Sequence, residues 1–184
     1  MALLDSISSV FQTFMNLLPR VYFMPAYEGG VLFIRGRKIK QIKAGPVFYW
    51  PITTTIETCP VTRQVLPIPA QTCSTLDGKT IVLAGVLTYK VVNVVKFLVD
   101  NYQADEAVQE VVSSVLRDVV SERDWESLQA NNRNTVDNAL TRKASSMLST
   151  YGCDVEKLRI TSLAPARVYQ VFGHSPLTSY ADED

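Results

Sequence analysis

Apolar residues fall along this chain in two rhythms, and the change between them marks out the elements. Leu4, Ile7, Phe11, Phe14 and Leu18, flanked by Leu3, Val10, Met15 and Leu17, follow the three-and-four spacing of a helical stripe. The opposite face carries Asp5, Ser6, Ser8, Ser9, Gln12, Thr13 and Asn16, and Pro19 ends the helix. Val21 to Met24 prolong the apolar run to Pro25, which leaves a shallow re-entrant loop bent at the two prolines as an alternative. From Glu28 the texture becomes strand-like. Gly29 and Gly30 introduce Val31 to Ile34, Gly36 turns the chain, and Arg37 to Ile42 alternates basic with apolar residues, which predicts a hairpin. Gly45 to Pro51 reads as a proline-bracketed aromatic loop. Thr53 to Leu66 reads as one or two strands broken at Pro60, and Pro67 and Pro69 predict an edge or an extended connection.

The most strand-like segment lies between Thr75 and Val95. Asp77 and Gly78 are suited to the positive φ angles of a type I′ turn. Beyond them Ile81, Leu83, Leu87, Tyr89 and Val91 line one face, and Val82, Ala84, Val86, Thr88 and Val92 the other, with Lys90 the only charge. Such a run predicts a central strand covered on both faces. The helical period then returns in Ala107, Val108, Val111, Val112, Val115, Leu116, Val119 and Val120, with Asp105 and Glu106 in the first turn, where acids suit the helix dipole. Valine is a poor former of isolated helices, so packing on the central strand must hold this one. After a connection through Trp125 and Leu128, a second helix from about Asn132 carries Val136, Leu140, Met147 and Leu148 and closes at Gly152. Val155, Leu158 and Ile160 return as a strand. The predicted fold class is α+β: a twisted, mostly antiparallel sheet packed against two main helices, with an N-terminal amphipathic helix.

Composition narrows the class of function. The 184 residues, 47 % hydrophobic, suit one domain with short appendages, and the formal charge of zero gives no overall field that points to nucleic acid. Charge is local instead. Between Arg20 and Lys43 six basic residues (Arg20, Arg35, Arg37, Lys38, Lys40 and Lys43) face one acid, Glu28. A cationic stretch beside an apolar anchor suits anionic lipid head groups, at about 1 kcal/mol per cation near the surface. A solvated hairpin edge guarded by lysines is the bland alternative. Nucleic acid is not expected, because recognition motifs and the aromatic spacing of single-strand binders are missing. Phe48, Tyr49 and Trp50 add rings that favour the membrane interface and serve equally well in a core.

The first segment is too short and interrupted to span a bilayer as a straight helix. It also lacks the basic start and small-residue cleavage site of a signal peptide. A helix in the membrane interface, one docked on a partner, or one folded back on its own domain are the readings left. Three cysteines, Cys59, Cys73 and Cys153, without CxxC spacing predict reduced, packed thiols, with a Cys59–Cys73 bridge as the minor alternative. Catalysis is not expected. The lone histidine, His174, lies in the tail, and Gly78, Lys79 and Thr80 end like a P-loop without its upstream glycine. No cofactor and no metal site are predicted.

The order of several motifs resembles the SPFH or Band 7 domain shared by stomatins, prohibitins and flotillins. Glu28, Gly29, Gly30 and Val31, followed by Arg35, Gly36 and Arg37, are similar to that family's opening strand and arginine-glycine turn. Gly45 to Pro51 resembles its proline-glycine-aromatic-proline loop. Thr75, Asp77 and Gly78, then Val86, Tyr89 and Val91, resemble its most recognisable strand pair. Leu116, Arg117, Arg133, Gly152, Val155 and Ile160 fall where the family has its helix arginines, glycine and closing strand. The likeness runs from Val21 to Phe172. It departs from the family in the tail, where Gly173 and Pro176 interrupt any long assembly helix started near Pro165.

The expected organisation is an anchor helix over 1–20, the domain over 21–172 and an acidic tail over 173–184. The resemblance implies a non-catalytic, membrane-associated, self-assembling scaffold that organises membrane patches or regulates a membrane protease or channel. Its partners would be the lipid surface and further copies of itself. Leu4, Ile7, Phe11, Phe14 and Leu18 would insert, with Phe48, Tyr49 and Trp50 beside them, while the six cations hold lipid phosphates. Reduced cysteines favour the cytoplasmic face, with a peripheral or shallow mode of attachment. The alternative is a soluble structural or assembly protein, such as a virus-encoded copy of the domain, whose first helix docks on a protein.

Overall fold

The structure is a computed structural model describing residues 18–129 and 133–166. The stripe positions Leu4, Ile7, Phe11 and Phe14, the tail and His174 lie outside the described residues. Where the sequence predicts one sheet, the strands form three, all antiparallel. β1 (Arg20–Met24) pairs with β4 (Gly45–Tyr49). β2 (Glu28–Ile34) lies between β3 (Lys38–Ile42) and β5 (Thr54–Pro60). β7 (Thr80–Val91) lies between β6 (Gln64–Ser74) and β8 (Cys153–Pro165). Prolines explain part of the division. Pro60 ends β5, while Pro67 and Pro69 lie in β6 beside a register shift between Ile68 and Gln71, and β6 is accordingly an edge strand.

β7 is central, as expected, but covered on one side. Ile81, Leu83 and Leu87 are fully buried, whereas Val82, Ala84, Val86 and Thr88 remain half-buried and Val92 is exposed. The helices cover the inner side, the two long ones against β6 and β8, while the first packs against β2 and β5. They are α1 (Val94–Val99), α2 (Ala104–Ser121), α3 (Trp125–Gln129) and α4 (Arg133–Leu148), the last followed by a 3₁₀ turn (Ser149–Tyr151) and by Gly152 at φ 80°. α2 buries Val108, Val112, Val115, Leu116, Val119 and Val120, and α4 buries Val136, Leu140, Ala144 and Leu148 at a spacing of four. Each large aliphatic side chain so buried contributes about 2 kcal/mol. Met147, read as a core position, is 41 % exposed because it lies one residue off that row. The Trp125–Leu128 connection is the short helix α3. Helix α1 is unforeseen: its Val94 and Val95 read as the end of the preceding strand, yet Asn93 caps it by accepting the Lys96 N–H at 3.1 Å.

Two turns exchange roles relative to expectation. Around Asp77–Gly78 only the glycine has positive φ, 76°. The Gly78 N–H donates to the Thr75 carbonyl at 3.0 Å, and Asp77 stays in the ordinary region. The turn with both central φ angles positive is at Arg35 and Gly36, 52° and 65°, where the Arg37 N–H donates to the Ile34 carbonyl at 3.2 Å within the three-residue loop that joins β2 to β3. Lys79 pairs with Asp77 at 3.0 Å, so the P-loop-like triplet is spent on the turn and the start of β7.

A second, smaller core positions the site. Met24, Leu32 and Ile42 are buried between the β1–β4 ribbon and the sheet around β2, with Tyr22, Ile34, Val47, Tyr49 and Ile56 packed on them.

Candidate functional site

Residues 45–49, expected as a loop, pair with residues 20–24, read as an apolar continuation or alternatively a re-entrant loop, in a two-stranded ribbon whose side chains are divided by strand alternation. Tyr22 and Val47 are register partners and pack inward on the small core. Val21 is opposite Phe48, and Phe23 opposite Pro46, on the outer face. Nothing among the described residues covers that face: Phe23 is 72 % and Phe48 74 % exposed. Trp50 and Ile52, just past β4, continue the exposed series, with Leu18 preceding β1. Eight of the thirteen exposed large hydrophobic residues described lie between Leu18 and Ile52, so apolar exposure is concentrated at this end rather than scattered.

The predicted cations meet this ribbon from the side. One cleft, of about 560 Å³, is lined by Arg35, Arg37 and Lys38 from the β2–β3 hairpin, by Phe48, Tyr49 and Trp50, and by Thr53 and Thr54. A second, of about 520 Å³, joins Lys40 and Lys43 to Pro46, Val47 and Phe48. Leu32 and Phe48 line both. Neither lining contains an acid, and none of these five cations forms an ion pair with a described residue. Arg20, on β1 opposite Tyr49, lines neither cleft.

The geometry thus redistributes the expected contacts. Phe48 and Trp50 are exposed, but Tyr49 points to the small core, because it sits on a strand rather than at a loop tip. Val21 and Phe23 enter the sequence reading only within the alternative re-entrant loop, and Ile52 is not singled out there. The signal was the alternation of Val21 and Phe23 with Tyr22 and Met24, hidden in a run apolar at every position.

Elsewhere the polar groups have structural partners. Tyr89 donates toward Gln64 at 3.3 Å and Asp105 at 3.5 Å, and burial, then Asp105, raises its pKa. All three cysteines are free, and burial pushes the Cys59 thiol up to about 11 and the Cys153 thiol up to about 12, so both stay protonated at neutral pH. Burial likewise raises Cys73, opposed by Arg117. Among the described residues no group of three or more His, Cys, Asp and Glu side chains is placed to hold a metal ion, and no helix is long and apolar enough to cross a membrane.

The chain is similar to an uncharacterised protein of Methanocaldococcus jannaschii, 22 % identical over 149 residues, 81 % of this chain and 74 % of that protein. It is also similar to an uncharacterised protein of Archaeoglobus fulgidus, 24 % identical over 112 residues, 61 % of this chain and 45 % of the relative. The pattern of the SPFH domain / Band 7 family matches residues 23–171, from the outer ribbon through the last strand described. The motif order, the α+β fold and this match agree, and the chain belongs to the SPFH domain / Band 7 family.

Proposed function

We propose that this protein is a non-catalytic peripheral membrane scaffold that rests on the bilayer through the outer face of the β1–β4 ribbon. Family membership supports the general class, a stomatin- or prohibitin-type scaffold of a family that is typically membrane-associated. The observation that carries the finer reading is the exposed row Val21, Phe23, Phe48 and Trp50 beside two acid-free basic clefts. Transferring a phenylalanine or tryptophan ring from water into the interface contributes up to about 2 kcal/mol, and each nearby cation adds about 1 kcal/mol on an anionic surface. The stripe Leu4, Ile7, Phe11, Phe14 and Leu18 directly precedes β1 in the sequence and would add a second apolar contact with the bilayer. Self-association, and action on a membrane protease or channel, complete the reading. The half-buried outer side of β7, with Val82, Ala84 and Val86, is a surface that copies could share.

Co-flotation with vesicles tests the anchor. The double variant Phe23→Glu, Phe48→Glu changes only exposed side chains, so folding should survive while binding to anionic vesicles falls at least about tenfold. Undiminished flotation of that variant would move the contact elsewhere.

A further inference from the structure

Resting on the membrane reading above, we propose that the cleft between the Arg35–Gly36 turn and Trp50 is a head-group site selective for a phosphomonoester lipid. Arg35, Arg37 and Lys38 bring three positive charges into one cleft whose lining has no acid, and none of the three pairs with a described carboxylate. Like charges gathered without a counter-ion repel, and an anion of nearly two charges relieves that repulsion best. A phosphomonoester carries about −1.5 to −2 charges at pH 7 and offers three acceptor oxygens, whereas a phosphodiester head group carries one charge. Guanidinium forks match such oxygens in pairs, and Thr53 and Thr54 in the same lining add hydroxyl donors.

Two further observations favour a built site over a chance cluster. Arg35 has φ 52°, in the left-handed region where a turn position favours Asn, Asp or Gly, so its charge has no part in making the turn. Phe48 lines the cleft and also belongs to the exposed outer row, so a lipid with its phosphate in the cleft can direct its chains along Phe48 and Trp50 into the bilayer. The neighbouring cleft, with Lys40 and Lys43 alone, has point charges without the fork and supplies unselective attraction.

The test compares full-chain binding to vesicles of phosphatidic acid in a neutral lipid with binding to phosphatidylglycerol vesicles adjusted to the same zeta potential. The expected result is a preference for phosphatidic acid of at least about fivefold, from charge-assisted bonds to a second ionised oxygen. The variant Arg35→Asn, Arg37→Gln should abolish that preference while still floating on phosphatidylglycerol. Asn suits the turn, so its melting curve should stay cooperative and serves as the folding control. Equal binding of the native chain to both vesicles would overturn the selective site and leave the membrane reading intact. Absence of binding to either would overturn that reading, and the site with it. Glycerol 3-phosphate that cancels the preference at the concentration of accessible lipid would overturn the lipid assignment in favour of a soluble phosphate ester.

Discussion

Asp77 connects three parts of the chain through one carboxylate. It accepts from the buried Thr75 hydroxyl and the Trp125 N–H and pairs with Lys79, holding the β6–β7 loop against the start of α3. The Thr75 hydrogen bond first, then Lys79, lowers its pKa from 3.8 to about 2. A depressed folded-state pKa contributes stability that is fully present above the unfolded value near 3.8 and is lost as the pH falls through about 2. Asp77→Asn should therefore destabilise the protein at pH 7, and the gap to the native chain should narrow between pH 4 and 2, read from urea unfolding at each pH. A constant gap would mean that the charge has no part in the effect. Only half of this arrangement is legible in sequence. The Asp-Gly pair announces a turn, but its type depends on Thr75 and Trp125, the latter 48 residues beyond Asp77, and local turn statistics contain neither.

Elements with a sustained period are readable where their faces differ in polarity. α2 and β7 were recovered because Val108, Val112, Val115 and Val119 keep one stripe and Ile81, Leu83, Leu87 and Tyr89 one strand face. Their contact has a definite anchor: Leu116 is fully buried against Gly85 of β7, where an added Cβ would lie 3.1 Å from its Cδ1. Leu116→Ala should cost about 2–5 kcal/mol in urea unfolding, whereas Val92→Ala, at an exposed site, should stay within about 0.5 kcal/mol. Equal effects would contradict this packing. β1 and β4 escaped the sequence because they pair across the whole β2–β3 hairpin and are bracketed by Pro19, Pro25 and Pro51. A non-local partner decides that these residues are strands, and proline signals alone favour loops.

At the scale of the whole molecule, the cations and aromatic residues were recognised as candidates, but not their meeting. Arg35, Arg37 and Lys38 come from one hairpin and Phe48 and Trp50 from the ribbon beside it, and only the fold closes a cleft between them. The same fold leaves Tyr49 inside and brings Phe23 out. The protein thereby has two unlike regions: a helix-covered sheet holding most of the buried core, and a small ribbon that exposes apolar rings next to Arg35, Arg37 and Lys38, which pair with no described carboxylate. The most direct test of this polarity is the depth of Trp50 in a membrane, measured in a Trp125→Phe background by fluorescence with lipids brominated near the head group. A blue-shifted Trp50 emission, quenched by the shallow bromines when the protein floats on anionic vesicles, is the predicted result. Flotation with Trp50 emission unchanged and unquenched would contradict the account.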